Sequence, residues 1–577
     1  MAKNSNPDIA RAGRNMSDIG DSRCCPFSKN QDIILKIDDI GNDGEGIGHY
    51  KGYAVFVNNA LPGDEIIARI MKIKKSYAYA RLMDIVNPSP DRIQPVCDIA
   101  AKCGGCQLQH MSYDAQLEYK SRKVRNCLVR IGGYDGAYLA GIEEQIIGME
   151  NPYNYRNKAQ FPVQQSADGQ IVSGFYAGRT HNIIATEECC IQMPESNHIC
   201  SIVREWMNEY GIPSYDETTH SGIVRHILTR IGKATGEIMV CLVVTSKRVP
   251  FTEVLVERLR KVEGMTCICL NINSDRTNRI LGSKLISLYG PAYIEDCIGA
   301  IRYRISPLSF YQVNPEQTIK LYNTALEYAG LIGNETVWDL YCGIGTISLF
   351  LAHKAKYVLG IEIVPEAIED AKVNASINGI ENAVFLAGAA EDVAARIVED
   401  DAYSSLKKPD VVVVDPPRKG CDSRLIQTIV KVSPERIVYV SCDPATLARD
   451  VKVLKENGYG IRKYRACDMF GMTGHVETVV KLSLKKDTPK IEVTMKPDEE
   501  SNYTPEEKAT YPKIKEYVKN KYGVNVHTSY IAQVKRMCGL DMGENYNKSK
   551  KENPEVKQCP QEKVEYIKDA LRYFKII

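Results

Sequence analysis

The stretch ETVWDLYCGIGTISLFLAHKAKYVLGIEIVPEAIEDAKVNASINGI, residues 335–380, decides the fold. TVWDLY is an apolar strand. CGIG is a tight turn whose glycines, Gly343 and Gly345, allow close approach of a ligand. TISLFLAHKA is a helix, and YVLGIEI is a second strand that ends on an acid, Glu362. A glycine turn after one strand and a carboxylate at the end of the next is a nucleoside-binding layout. The turn accommodates the ligand, and the carboxylate accepts bonds from ribose hydroxyls. The third glycine of a dinucleotide fingerprint is missing, and no lysine follows as in a P-loop, so the pattern favours S-adenosylmethionine over NAD. Residues 311–485 go on alternating helical and apolar strand patterns, which predicts a doubly wound α/β sheet of the Rossmann-like, S-adenosylmethionine-dependent kind.

Two later strands of this region end in reactive side chains. PDVVVVDPPRKG (409–420) breaks at Asp415, and ERIVYVSCDPATLARD (435–450) ends at Cys442. Ligands bind at the carboxyl ends of strands in open α/β sheets, so both residues are expected beside the donor. A cysteine at a strand end is placed to act as a nucleophile. In CDMFGMTGHVETVVKLSLKK (467–486), Glu477 enters a strand after a loop, where a carboxylate can serve as a base.

Working outward, residues 32–86 hold short alternating apolar runs separated by Gly-rich or Pro-Gly turns, which predicts a small antiparallel barrel. Lys72, Lys74, Lys75, Tyr77, Tyr79 and Arg81 interleave charge with rings, a pattern suited to phosphates and stacked bases or, alternatively, to a protected edge strand. Next comes CDIAAKCGGCQLQH (97–110), a C-x5-C-x2-C run of Cys97, Cys103 and Cys106. Gly104 and Gly105 would let the backbone wrap closely around a bound group. With a fourth thiolate from Cys189 or Cys190 in EECCIQ, the set suits either a tetrahedral zinc ion or an iron–sulfur cluster.

The expected organisation is a flexible tail (1–28), an oligonucleotide-binding type of barrel (29–88), a mixed α+β central domain with the cysteine cluster (89–310) and the catalytic domain (311–485). A linker with a small α-helical extension (486–577) completes it. In that extension, lysines 548, 550 and 551 suit either RNA contact or a solvated helical face.

The chain has 577 residues, too many for one core, with 74 Lys+Arg against 72 Asp+Glu. This composition excludes global disorder, collagen and a membrane transporter. No run approaches the length of a spanning helix and no secretory signal is evident, so a cytoplasmic monomer is expected, with no membrane partner. The 19 cysteines are an odd number without a signal, which argues against a disulfide framework.

Together, SFYQVN, DLYCGIGT, DPPRKG, SCDPATLARD and GHVET resemble, in order, the motifs of the bacterial RNA uracil-5-methyltransferases, the family that includes the 23S rRNA and T-loop tRNA enzymes. The cysteine run is similar to that of the 23S rRNA branch, whose members hold a [4Fe–4S] cluster, and the barrel resembles a TRAM domain. The resemblance implies Cys442 as nucleophile and Glu477 as base, with Gln312, Tyr341, Glu362 and Asp415 binding S-adenosylmethionine alongside Gly343 and Gly345. It implies Cys97, Cys103, Cys106 and, by preference over Cys190, Cys189 as cluster ligands. The expected substrate is a single-stranded loop uridine of 23S rRNA. The alternatives are the T-loop uridine of tRNA and an RNA-binding iron–sulfur protein without catalysis. Gly471 stands where many members carry proline and is expected to loosen the loop before Glu477.

The chemistry is coherent. C5 of uracil is a poor nucleophile until a thiolate adds at C6 and pushes electron density onto C5. That thiolate needs a cationic or dipolar neighbour, which the sequence does not reveal.

Overall fold

A computed structural model describes residues 26–178, 180–484, 511–538 and 558–574. The expected tail up to residue 25, the linker of residues 486–510 and the three lysines 548, 550 and 551 lie outside the described residues. Two compact units separate near residue 488.

The first unit begins with β1 (Asp32–Ile40), β2 (Gly46–Tyr50), β3 (Tyr53–Val57), β4 (Glu65–Ile73) and β5 (Tyr77–Asn87), which close into a barrel in the order β1-β2-β3-β5-β4. Alternation does the work here: Ile33, Leu35 and Ile37 point inward while their neighbours face out. Closure leaves no free edge. Phe56, Tyr77 and Tyr79 form one half-buried ring cluster on the outside, with centroids 5.5–5.8 Å apart.

The helix Tyr113–Arg130 follows the cysteine run, and then β6 (Glu143–Ile147). Seven strands build the central sheet: β7 (Lys158–Gln165), β8 (Ile171–Tyr176), β9 (Ile183–Ala185), β10 (Val224–Ile231), β11 (Ile238–Val244), β12 (Met265–Ile272) and β13 (Lys284–Tyr289), ordered β13-β12-β11-β10-β7-β8-β9. A hairpin, β14 (Ile294–Ile298) with β15 (Ile301–Ile305), leads into the catalytic sheet.

That sheet contains β16 (Thr336–Asp339), β17 (Tyr357–Glu362), β18 (Ala383–Ala387), β19 (Val411–Val414), β20 (Arg436–Ser441), β21 (Tyr459–Cys467) and β22 (Glu477–Leu484), with β6 as an added edge: β18-β17-β16-β19-β20-β22-β21-β6. Strands β16 to β20 run parallel. The inner strands are buried on both faces: in VVVV of β19, Val411 and Val413 enter one core, Val412 and Val414 the other. Order reverses between β16 and β19, which opens a crevice at their carboxyl ends. Strand β6 lies in the region assigned from sequence to the central domain, yet it pairs with β21. Its five residues, EEQII, carry too little apolar pattern to announce a sheet partner 300 residues away.

Among the described residues, the second unit has three helices, Tyr511–Tyr522, Thr528–Met537 and Gln561–Tyr573, around their own core of Ile514, Val518, Ile531, Val534, Val564, Ile567 and Leu571.

Candidate active site

On the donor side, the turn after β16 takes Gly343 and Gly345 into positive φ, +55° and +85°. A Cβ on Gly343 would meet nothing within 4 Å, so the turn faces open space. A Cβ on Gly345 would press on Ala371 and Phe385 at 3.4 Å. The Glu362 carboxylate accepts from the Gly343 amide at 3.2 Å and the Val364 amide at 3.0 Å, which aims it at the turn. Beside it Ile363 and Val364 are exposed, an apolar surface for a flat ring. These residues fit an adenosyl ligand. Gln312 is buried, its carbonyl accepting from Asn157 Nδ2 at 3.2 Å, and among the described residues no hydrogen bond joins it to the turn or to Glu362. Tyr341 packs towards Cys421 on the opposite face of the sheet from Ile344.

On the acceptor side, register does the assembly. Strand β22 runs antiparallel to β20 with Ser441 opposite Thr478, so the next position along brings Cys442 to Glu477 at the carboxyl edge. Asp415 joins them from the end of β19. Burial and the neighbouring charges of Glu477 and Asp415 push the Cys442 thiol up to about 12, while Arg418 pulls it down. Burial and then Asp415 raise Glu477 well above the carboxylate range. Asp415 is pushed to about 7 by burial and by Asp339, itself raised to about 6 by burial and bonded to Ser348 Oγ at 2.6 Å. Tyr322 lies within the field of Asp415, Asp339 and Glu477. Burial thus raises every acid of this set, and Arg418 is the cation that lowers both Cys442 and Glu477.

Arg418, Asp339 and Tyr322 were missed as site residues by sequence reasoning. Arg418 stands inside the quoted DPPRKG motif, three residues after Asp415, and that adjacency was the available signal for the cation a thiolate needs. Phe310, two residues before Gln312, is 70% exposed.

A cleft of about 640 Å³ connects Cys442, Arg418 and His475 to the barrel loops at Asn42–Glu45 and Asn58–Asn59, and to Cys103 and Cys106. A second cavity, about 440 Å³, is lined by Cys97, Cys103, Cys106 and Cys189 together with Arg156, Lys158 and Arg418. The structure thus gathers the cysteines from segments 80 residues apart. Cys190 accepts from Gln109 Nε2 at 3.4 Å and lies beside Cys97. Cys106 is raised to about 12 and Cys189 to about 11, first by burial. The Gly105 amide donates to Cys103 Sγ at 3.3 Å. Among the described residues, however, no three His, Cys, Asp or Glu are grouped so as to hold one metal ion. The close approach expected at Gly104 is made to the chain itself: its amide donates to the Tyr176 carbonyl at 3.0 Å, and a Cβ would stand 2.9 Å from that oxygen.

Comparison with known proteins agrees with this geometry. Residues 294–485 match the tRNA (Uracil-5-)-methyltransferase family model, and residues 28–83 the TRAM domain model. An uncharacterized RNA methyltransferase of Clostridium acetobutylicum is 49% identical over 457 residues, covering 79% of this chain and 97% of that protein. One of Halalkalibacterium halodurans is 48% identical over 461 residues, covering 80% and 98%. Among solved structures, the Pyrococcus abyssi tRNA (uracil-54, C5)-methyltransferase in complex with S-adenosyl-L-homocysteine aligns with a TM-score of 0.63 and 29% identity, over 78% of this chain and 99% of that one. With the barrel, the glycine turn and the Cys442 edge in one unit, the chain belongs to the TRAM-bearing RNA uracil-5-methyltransferase family.

Proposed function

We propose that the protein methylates C5 of a uridine in 23S rRNA, with S-adenosylmethionine as donor. The observation that carries the reading is the meeting of Cys442 and Glu477 across β20 and β22, at the sheet edge that also holds the glycine turn. When bound, the donor supplies an electrophilic methyl group. Gly343 leaves it room and Glu362 accepts from its ribose, while Asp415, a donor-binding position by resemblance, stands with Cys442 and Glu477. The roles of Gln312 and Tyr341 rest on motif resemblance alone.

In the proposed mechanism the Cys442 thiolate, favoured by Arg418, forms a bond to C6 of the uracil ring. The C5–C6 pair moves into an enolate over C5, C4 and O4, and C5 takes the methyl group as its bond to the donor sulfur breaks, leaving S-adenosylhomocysteine. Glu477 then removes the C5 proton, and the electron pair of that bond restores C5–C6 as the Cys442 sulfur leaves. Phe310 offers a free ring for stacking, and the target base must leave its own stack to reach the cleft.

Cys97, Cys103, Cys106 and Cys189 are proposed to hold a [4Fe–4S] cluster. The lining of one cavity by all four cysteines, with the Gly105 amide donating to Cys103 Sγ, supports it. Iron and sulfide content of anaerobically purified protein tests this, with stoichiometric zinc as the contrary result.

A second reading keeps the chemistry and changes the RNA to the T-loop uridine of tRNA. The Pyrococcus abyssi neighbour, whose described substrate is uracil-54 of tRNA, favours it. The test is transfer of a labelled methyl group to unmodified 23S rRNA and tRNA in parallel, with the product nucleoside mapped. 5-Methyluridine in rRNA alone supports the first reading, and label in tRNA alone selects the second.

A further inference from the structure

Helix Tyr113–Arg130 carries a polar stripe at Tyr113, Gln116, Lys120 and Lys123, spaced three, four and three residues apart and so on one face. Every member of the stripe bonds to the loop that precedes Glu477. Tyr113 OH donates to Asp468 Oδ2 at 2.9 Å. Lys120 Nζ donates to Asp468 Oδ1 at 2.5 Å and to the Phe470 carbonyl at 3.0 Å, with both charged side chains fully buried. Gln116 Oε1 accepts from the Met472 amide at 3.1 Å. Lys123 Nζ donates to the Gly474 carbonyl at 2.8 Å. The stripe therefore contacts 468, 470, 472 and 474 in turn, along the whole approach to Glu477.

Two further anchors meet the same loop. The Met472 carbonyl accepts from the amides of Gln107 and Leu108, the residues directly after Cys106, each at 3.0 Å. Met472 sits at φ +66°, a conformation its side chain disfavours and the bonds to both its amide and carbonyl hold in place. At Gly471, Tyr155 OH donates to the carbonyl at 3.1 Å, and a Cβ would lie 3.3–3.4 Å from Pro152 and Met149.

We infer that this stripe is a positioning device that sets the Glu477 carboxylate against the C5 proton, with Lys120–Asp468 as its central clamp. A buried ion pair adds little net stability over apolar packing of the same volume. What directed bonds to four successive loop positions supply is a fixed register, and a base must lie within hydrogen-bond reach of its proton to act. The inference rests on reading Glu477 as the base, and it names Lys120, Asp468 and Gln116 as positioning residues that touch neither donor nor uridine.

The test uses the full chain with the double variant Lys120→Met/Asp468→Leu, which removes both buried charges together, and separately Gln116→Leu. Three quantities are read: KM for S-adenosylmethionine, the rate of Cys442 adduct formation with substrate RNA, and turnover. Expected are an unchanged KM, adduct formation within about threefold of the unmodified protein, and turnover lowered by about 10- to 100-fold with adduct accumulating, because removal of the C5 proton alone is slowed. Unaltered turnover in both variants overturns the inference. So does a parallel loss of donor binding, adduct formation and turnover, which marks general damage. Glu477→Gln is the control on the parent reading: if it turns over normally, Glu477 is not the base, and the failure lies there rather than in the stripe.

Discussion

The donor half and the acceptor half of the site are built by different means. The donor half is local: a strand, a two-glycine turn and an acid within 27 residues, with Glu362 held by two amides of its own neighbourhood. The acceptor half is gathered from Asp415, Arg418, Cys442 and Glu477, and its order comes from sheet register and from a helix more than 300 residues earlier in the chain. Burial also raises three of its groups, Asp415, Cys442 and Glu477, above their ordinary ranges. Under the proposed mechanism, affinity for the donor is written into a motif, while reactivity towards the nucleobase depends on what the fold presses together.

This contrast can be broken in order of size. Cys442→Ala should lower methyl transfer by at least about 10⁴-fold, the scale of removing a nucleophile, while calorimetric binding of S-adenosylmethionine stays intact. Lost donor binding would merge the two halves. Glu362→Gln should act the other way, raising the KM for the donor by about 10- to 100-fold, the worth of a charged hydrogen bond, with little change in kcat at saturation. Arg418→Met removes the cation that pulls the Cys442 thiol down. The thiol should then ionise at higher pH, so the alkaline rise of the single-turnover rate moves upward and the rate at pH 7 falls about tenfold per unit. An unmoved profile would assign Arg418 elsewhere.

The smallest effect is on stability. Asp339 and Asp415 keep their protons in the folded protein to about 6 and about 7, while the unfolded chain releases them near 4. Between those limits the folded state binds more protons, so stability falls as pH rises from about 4 to about 7. Asp415→Asn should flatten that fall in urea midpoints measured across the range.

The same contrast explains what could be read from sequence. The α/β class and the barrel were legible because apolar period and turn residues are local signals. Cys442 and Glu477 could be singled out by strand ends and motif order, but nothing in the sequence says that Ser441 pairs with Thr478. Arg418 was visible as a letter in DPPRKG, not as the neighbour of a thiol. The stripe on helix Tyr113–Arg130 is harder still: a buried lysine reads as solvated until its partner, Asp468, is placed beside it. Strand β6 was hidden for the same reason. The cysteine run announced a cluster by spacing, yet the glycine beside it packs on Tyr176, a contact made with a strand 70 residues on.

The most direct test of the central claim, that Cys442 and Glu477 act as a pair on C5 of a uridine, is covalent trapping. Substrate RNA carrying 5-fluorouridine has no C5 proton to remove, so the last step cannot proceed. The account predicts a stable protein–RNA adduct that carries the transferred methyl group and maps by peptide mass to Cys442. Methyl transfer without an adduct, or an adduct on another residue, would contradict it.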